Sequence, residues 1–460
     1  VSRFLSLALV AVVASATLAQ SPAIPPDLEN YVKKPEPDYK WTFQKKDESD
    51  AGAVYLYRLV SQKWHDELWE HDLQVFVPKE ATDKSSMVIL NTGGAAGGGT
   101  TALGLEIARR VKYPVAVLFQ IPKQPLYGGK KEDALIAETF VRFLETKDSS
   151  WPLLFPMAKS VVKAMDALQE IGKKEWNVEV KHFVITGASK RGWTSWLTAA
   201  TGDKRVKAIA PLVIDTLNFQ KQMPHQFKSF GKYSEQIHDY EERKLLPLPD
   251  TDDARRLWAM VDPWVYRDRL TLPKLLVHGT NDPYWAQDAL NQYWDDLKGD
   301  KWVLYVPNAG HDLRPQDQPN QPGAKKDVFP LKAIDTLGAY SRLILSDKKL
   351  PKVEWKDAGV KNNYATAQTH LGTAPASVQT WTTTSATRDF RKAVWVKNAP
   401  EPQTLIARPP GAGDGEPPVV VLNLPVPASG YAAGFVEFTF DLDGSKFNLS
   451  TPITIAEAKK

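Results

Sequence analysis

Cysteine is missing from all 460 residues, and that absence excludes disulfides, thiolate metal sites, a cysteine nucleophile and a thiol-linked lipid anchor. Histidine is scarce: His65, His71, His182, His225, His238, His278, His311 and His370 are the full set of 8 for any imidazole chemistry. A charge of one sign is lacking too. The 58 Lys and Arg against 54 Asp and Glu leave a formal +4 with no basic stripe along any helical stretch, which argues against a nucleic-acid partner. No window after the N-terminal segment has the roughly 18 or more clean apolar residues that a membrane span needs. What is present is ordinary globular composition, 43% hydrophobic and 24% charged, with a length suited to roughly two to four domains. The 34 prolines and 15 tryptophans point to many loops and a strongly aromatic interior or groove.

Residues 1–20 read as an export signal. Arg3 supplies the positive end, residues 5–13 the apolar stretch, and Ala14-Ser15-Ala16 and Thr17-Leu18-Ala19 offer small residues before a cut. A membrane anchor is the alternative, but the run is too short for it. The expectation is a periplasmic or extracellular protein with no membrane span in its mature form.

Residues 21–40 carry five prolines and read as an extended arm. Short β-like runs follow at 54–60 (VYLYRLV) and 73–77 (LQVFV). The texture then changes to continuous apolar runs at 87–90, 115–119, 182–186, 206–214, 275–279 and 302–306, separated by helical stretches near 102–110, 131–145, 156–171 and 190–200. Each of the last two runs is also expected to lead into a helix. Apolar strands without alternation, spaced by helices, predict a parallel sheet covered on both faces. Working residues in such sheets sit in loops after the C-terminal ends of the strands. A polar, aromatic, helical insertion at about 216–262 falls where a cap over the site is expected. From 351 onward Thr, Val, Pro and Gly alternate with no convincing helix, which predicts an immunoglobulin-like β-sandwich module over 351–460. The fold class is therefore α/β: a doubly wound, mostly parallel, α/β-hydrolase-like sheet over 21–350 with a cap and a C-terminal β-sandwich.

Gly187-Ala188-Ser189-Lys190-Arg191-Gly192 lies at a strand-to-helix turn, where a serine hydroxyl projects above the sheet and the next N–H can face a developing oxyanion. The usual pattern has Gly two residues after the serine; here Arg191 takes that place and Gly192 follows. Taken alone, the turn could equally be a helix N-cap. A serine nucleophile also needs a base and an orienting carboxylate. Asn281-Asp282-Pro283 follows the strand KLLVHGT, and Asn308-Ala309-Gly310-His311 follows WVLYV, which completes the chain order Ser189, Asp282, His311. Asp215, after the strand that follows the serine helix, is the alternative acid. The loop Gly93-Gly94-Ala95-Ala96-Gly97-Gly98-Gly99 follows an early strand and is placed to give a second oxyanion N–H from Gly93 or Gly94, beside that of Lys190. It lacks both common nucleotide-binding glycine patterns.

Lys190 and Arg191 could grip a substrate carboxylate, the plainer reading being a solvated first turn. Trp193, Trp196, Trp258, Trp264 and Trp285 cluster near the mouth and cap; most are expected in the core, with Trp193 and Trp285 the candidates for lining a sugar or aromatic subsite. His278, inside an apolar strand, reads as a satisfied core histidine. His65 and His71 lack the H-E-x-x-H spacing, and nothing calls for a metal or other cofactor.

With SQKWHDELWEHDLQVFVP, FQIPKQPLYGG, VITGASKRGWTSWLTAATGDKRVKAIAPLVID and HGTNDPYW in view, the chain resembles the PhoPQ-activated pathogenicity-related protein family from about residue 31 to residue 460. The likeness includes Trp381, Asp389-Phe390-Arg391 and Trp395. It implies an α/β-hydrolase-like core, export and no established substrate. The G-x-S-x-x-G spacing is also similar to that of carbohydrate glucuronoyl esterases, in which a basic residue after the serine helps hold a uronate. Ala188 and Lys190 stand here where that family has Cys and Arg.

Two functions of different class follow. One is an exported serine hydrolase acting on a small-molecule, carbohydrate-linked or peptide-linked ester, with a peptidase as the variant. The other is an exported binding or signalling protein on a hydrolase scaffold.

Overall fold

The computed structural model describes residues 24–398, 403–407 and 419–459. The expected export signal lies outside them. Among the described residues no helix is long and apolar enough to cross a membrane.

A short helix, α1 (Asp27–Lys33), precedes three antiparallel strands, β1 (Lys40–Ser49), β2 (Gly52–Trp64) and β3 (Glu67–Pro78). Alternation then begins with β4 (Ser86–Asn91), α2 (Gly98–Val111), β5 (Val115–Leu118), α3 (Glu132–Thr146) and α4 (Leu154–Glu175). It continues through β6 (His182–Ala188), α5 (Lys190–Ala200), β7 (Val206–Leu212), the cap helices α6 (Phe219–Phe230), α7 (His238–Glu242) and α8 (Asp252–Val261), then β8 (Lys274–Gly279), β9 (Lys301–Val306) and α9 (Leu331–Leu345). These strands lie in the order β2-β3-β5-β4-β6-β7-β8-β9. Every pair from β5 to β9 is parallel, and β3, the one reversed strand in this order, pairs both β2 and β5 in the antiparallel sense. That crossover order is the α/β-hydrolase arrangement. The apolar runs form its centre because strands covered on both faces bury every side chain, as β4, β5 and β8 do.

Two expectations change. The arm at 21–40 is not extended throughout, because Leu28, Tyr31 and Val32 share one helical face of α1 and are buried, Tyr31 against Phe155 at 5.9 Å between ring centres. The helix expected after β8 is replaced by 3-10 turns at Ala289–Gln292 and Trp294–Asp296. Side chains take the carbonyls an α-helix would use: Gln222 donates to Ala289 O (2.8 Å), Asn218 to Gln292 O (3.1 Å) and Lys301 to Leu297 O (3.1 Å).

Both ends of the cap converge on Asp262. Its carboxylate accepts from the backbone N–H groups of Asn218 (3.0 Å), Phe219 (2.9 Å) and Trp264 (2.9 Å). Burial nevertheless pushes its pKa up to about 7 against those three bonds.

The C-terminal residues form β10 (Val353–Lys361), β11 (Tyr364–Leu371), β12 (Ser377–Ser385), β13 (Val396–Lys397), β14 (Gln403–Ala407), β15 (Val419–Pro425), β16 (Tyr431–Leu442), β17 (Ser445–Ser450) and β18 (Thr454–Glu457). One layer is a separate antiparallel sheet, β10-β11-β15-β14. The other, β17-β16-β12-β13 with β18, is joined to the edge of the hydrolase sheet, where Ser450 pairs Val303 of β9. One hydrophobic cluster runs from Leu337 and Tyr340 of α9 to Val420, Phe438 and Leu449 of these strands. Each large side chain buried there is worth roughly 1.5–3 kcal/mol.

Candidate active site

Ser189 stands between β6 and α5 with φ 56° and ψ −128°, outside the regions that a side chain adopts without strain. The turn is held by Ser189 N–H donating to Leu212 O at 2.8 Å, while the hydroxyl makes no capping bond to α5. Gly192 explains the unusual spacing. A Cβ there would stand 2.6 Å from Ile214 Cγ2 and 3.0 Å from Gly187 O, so this residue lets the helix cross tightly over the strands. Arg191 is thereby free to point elsewhere.

Asp282 follows β8 and His311 follows β9, both on the sheet edge that carries Ser189. His311 Nδ1 and Asp282 Oδ2 are 2.7 Å apart, and Asp282 Oδ1 accepts from Tyr284 N–H at 2.9 Å. Tyr284 stacks on the imidazole at 4.2 Å. His311 Nε2 is buried and has no hydrogen-bond partner among the described residues, so it has not closed on the serine hydroxyl. Apo sites often leave this bond unmade. Asp215 is elsewhere: buried, it accepts from the Tyr293 hydroxyl and lies 3.5 Å from His278 Nδ1. Burial raises its pKa. The alternative acid is thus paired inside the core with His278, whose Nε2 has no hydrogen-bond partner among the described residues.

The basic pair after the serine departs from both expectations. Lys190 and Arg191 are 7% and 8% exposed, so neither is a solvated first turn. Arg191 forms a two-pronged pair with Glu132 (2.6 and 2.7 Å) and donates through Nε to Ile121 O at 2.5 Å. Its guanidinium is committed within the chain and does not reach for a substrate carboxylate. Burial alone would raise the Glu132 pKa, but the bond and charge of Arg191, helped by Gln124 and Lys190, hold it at about 2. Lys190 donates to Asp133 Oδ2 at 2.7 Å, and Asp133 Oδ1 accepts from the Tyr240 hydroxyl at 3.1 Å. The N–H of Lys190, first in its helix, has no intrahelical acceptor.

Gly93 packs directly on this network. A Cβ there would lie 1.7 Å from Arg191 Nη2, whereas one at Gly94 would meet nothing within 4 Å. Gly93→Ala is therefore expected to expel the guanidinium from Glu132 and to cost about 1.5–3 kcal/mol, the scale of a charged hydrogen bond. Urea denaturation measures it, and an unchanged midpoint contradicts this packing.

The C-terminal segment is stitched into the same loops. Asn281 Nδ2 donates to Phe390 O (3.2 Å) and Ala393 O (2.7 Å), and Asn320 Nδ2 donates to both Asn281 O (2.6 Å) and Arg391 O (2.7 Å). Asn308 exchanges two bonds with the Trp395 backbone, at 2.9 and 2.7 Å. Arg388 pairs with Asp288 at 2.6 and 3.0 Å, and His225 of the cap meets the same carboxylate at 2.8 Å. The roles of Glu132, Asp133 and Asn320 carried no signal in the sequence, since each acts through a partner distant in the chain, and Asn281, Tyr284 and Asn308 stood in the quoted loops without showing what they hold. On the C-terminal side, the Asp389-Phe390-Arg391 and Trp395 pattern was the visible trace.

Under the cap, Ser189 and Lys190 line an apolar pocket with Trp193, Phe219, Trp258 and Trp285. Trp193 is fixed by its Nε1 donating to Val261 O at 2.6 Å. Trp196 is fully buried in the core, and Trp264 turns its Nε1 to Asp296 at 2.8 Å. His71 is a buried structural residue between Ser61 Oγ (2.8 Å) and Phe119 O (3.0 Å), its pKa lowered to about 4 by burial. Among the described residues, His238, Asp239 and Glu242 on α7 bring potential ligand atoms within 4.8 Å of one another, but His238 Nδ1 already meets Glu235 O at 2.9 Å.

A family model described as PhoPQ-activated pathogenicity-related protein matches residues 28–391. Autocrine proliferation repressor protein A of Dictyostelium discoideum is 32% identical to this chain over 462 residues, covering 95% of this chain and 89% of that protein. Solved structures matched include acetyl xylan esterase 1 from Thermoanaerobacterium sp. JW/SL YS485, with 15% identity over 62% of this chain and 89% of that one and a TM-score of 0.45. An S-formylglutathione hydrolase from Agrobacterium tumefaciens matches with 15% identity over 59% of this chain and 92% of that one, at a TM-score of 0.39.

Proposed function

The chain belongs to the PhoPQ-activated pathogenicity-related protein family, and on that premise we propose that it is an exported serine hydrolase that cleaves carboxylic esters through an acyl-enzyme. The observation that carries this reading is the strained Ser189 turn on the same sheet edge as a His311–Asp282 pair whose Nε2 has no partner among the described residues. Ser189 Oγ attacks the ester carbonyl carbon while His311 Nε2 takes its proton. The tetrahedral oxygen is met by the N–H of Lys190 and that of Gly93 or Gly94. Collapse breaks the bond to the leaving alcohol, which departs with the proton from His311. Water, deprotonated by the same imidazole, then attacks the acyl-enzyme and releases the acid and the free serine. Asp282 holds the imidazole in the tautomer with its proton on Nδ1 throughout.

Asp282→Asn keeps the shape but favours the wrong tautomer, so ester turnover is expected to fall about 10⁴-fold with the fold retained. Turnover within a few-fold of wild type would remove Asp282 from the mechanism. The substrate is a small-molecule, carbohydrate-linked or peptide-linked ester; matched ester and amide substrates separate this activity from that of a peptidase.

A second reading is a binding or signalling protein on the same scaffold. One observation favours it: the Dictyostelium relative is named for repressing proliferation. In that case Ser189→Ala leaves the biological effect of the added protein unchanged, whereas an effect that depends on hydrolysis disappears.

A further inference from the structure

The pocket under the cap has a cavity volume of about 40 Å³, space for about three water-sized groups. Ser189 forms part of its wall, and most of the remainder is apolar: Trp193, Phe219, Met223, Leu246, Trp258. Two charged residues also line it, Lys190 and Asp133, and they are paired with each other at 2.7 Å. A charged group entering the pocket would therefore lose its hydration without gaining a free counter-ion.

A second, open cleft borders the loops that carry Asp282 and His311. It measures about 770 Å³ and is lined by Phe230, Lys232, Glu235, Pro283, Asn320 and Arg391. Pro283 adjoins Asp282, and Asn320 belongs to the loop that carries His311. The leaving group takes its proton from His311, whose loop borders this cleft, and the cleft is the space assigned to the alcohol. The narrow apolar pocket beside Ser189 is left for the acyl group.

Resting on the hydrolase reading above, we propose that the enzyme selects esters of compact, uncharged acyl groups of about two to four carbons, accommodated under the cap, with bulkier alcohols in the open cleft. The carbonyl carbon sits at Ser189, and about three water-sized groups of space leave room for one to three further carbons.

The test is kcat/KM for p-nitrophenyl esters of 2, 4, 8 and 12 carbons on the full chain, beside fluorophosphonate labelling. The expected result is a preference for 2 or 4 carbons over 8 of at least about tenfold, the lower end of what one misfitting methylene costs. Trp258→Ala enlarges the pocket and is expected to raise the 8-carbon to 2-carbon ratio about tenfold; Met223→Ala serves the same purpose if that variant fails to fold. A flat profile, or a preference for 8 or 12 carbons, from an enzyme that labels at Ser189 overturns the acyl-size inference and leaves the hydrolase reading intact. A folded protein that neither labels nor turns over any of these esters overturns both.

Discussion

Ser189→Ala is expected to lower ester turnover by about 10⁶-fold, His311→Ala by a similar factor, and the double variant by no more than either. The equality follows from the chemistry: without the imidazole the hydroxyl stays protonated, and without the hydroxyl the imidazole has no nucleophile to activate. The Ser189 hydroxyl makes no capping bond to α5, so its loss removes no hydrogen bond from the helix start, and circular dichroism should be unchanged. His311 keeps one partner, Asp282 at 2.7 Å, and its removal leaves a buried carboxylate still bonded to Tyr284 N–H at 2.9 Å. A modest stability loss beside a very large kinetic loss is therefore the expected signature. Losses that multiply in the double variant would mean that the two residues do not act as one unit.

Glu132 carries the largest stability effect. It is the counter-ion of an Arg191 side chain only 9% exposed, while the Glu132 side chain itself is 40% exposed. The two halves of the pair are therefore unequal. Glu132→Gln strands a buried guanidinium and is expected to cost about 3–5 kcal/mol, whereas Arg191→Met leaves a carboxylate that water can reach and costs less. The pH dependence has a definite sign. The Glu132 pKa is depressed to about 2 from an ordinary 4.5, so its contribution is complete above about pH 4.5 and is lost as pH falls toward 2. Urea denaturation of wild type and Glu132→Gln should show a gap at pH 7 that narrows across that window. A constant gap, or a costlier Arg191→Met, would contradict the assignment. Because Arg191 is two residues from Ser189 and donates to Ile121 O, both variants should also lower turnover.

The parallel sheet was legible in the sequence because its strands are buried on both faces, which leaves unbroken apolar runs such as 87–90 and 275–279. The chain order of Ser189, Asp282 and His311 was legible for the same reason: once the strands are placed, the loops after their C-terminal ends are known. β1 was not legible. Its residues Lys40–Ser49 are mostly exposed and polar, and they form a strand because β2 pairs with them through a hairpin. The fate of Arg191 was hidden because its partner lies 59 residues away, at the start of a helix. Proximity in sequence to the serine suggested substrate binding, whereas burial decided for an internal pair. The joining of β17 to β9 is equally non-local. Alternating β sequence predicts strands but does not say which edge they extend. The braces from Asn281, Asn308 and Asn320 to 390–395 follow from that same docking, and they make the C-terminal segment part of the support of the loops that carry Asp282 and His311.

The most direct measurement is fluorophosphonate labelling of the folded protein, with the modified peptide mapped by mass spectrometry, beside Ser189→Ala and His311→Ala. An activated serine predicts a single label on Ser189 in the wild type and none at that position in either variant. A folded wild type that stays unlabelled from about pH 6 to 9, around and above the ordinary histidine pKa, would contradict the catalytic account.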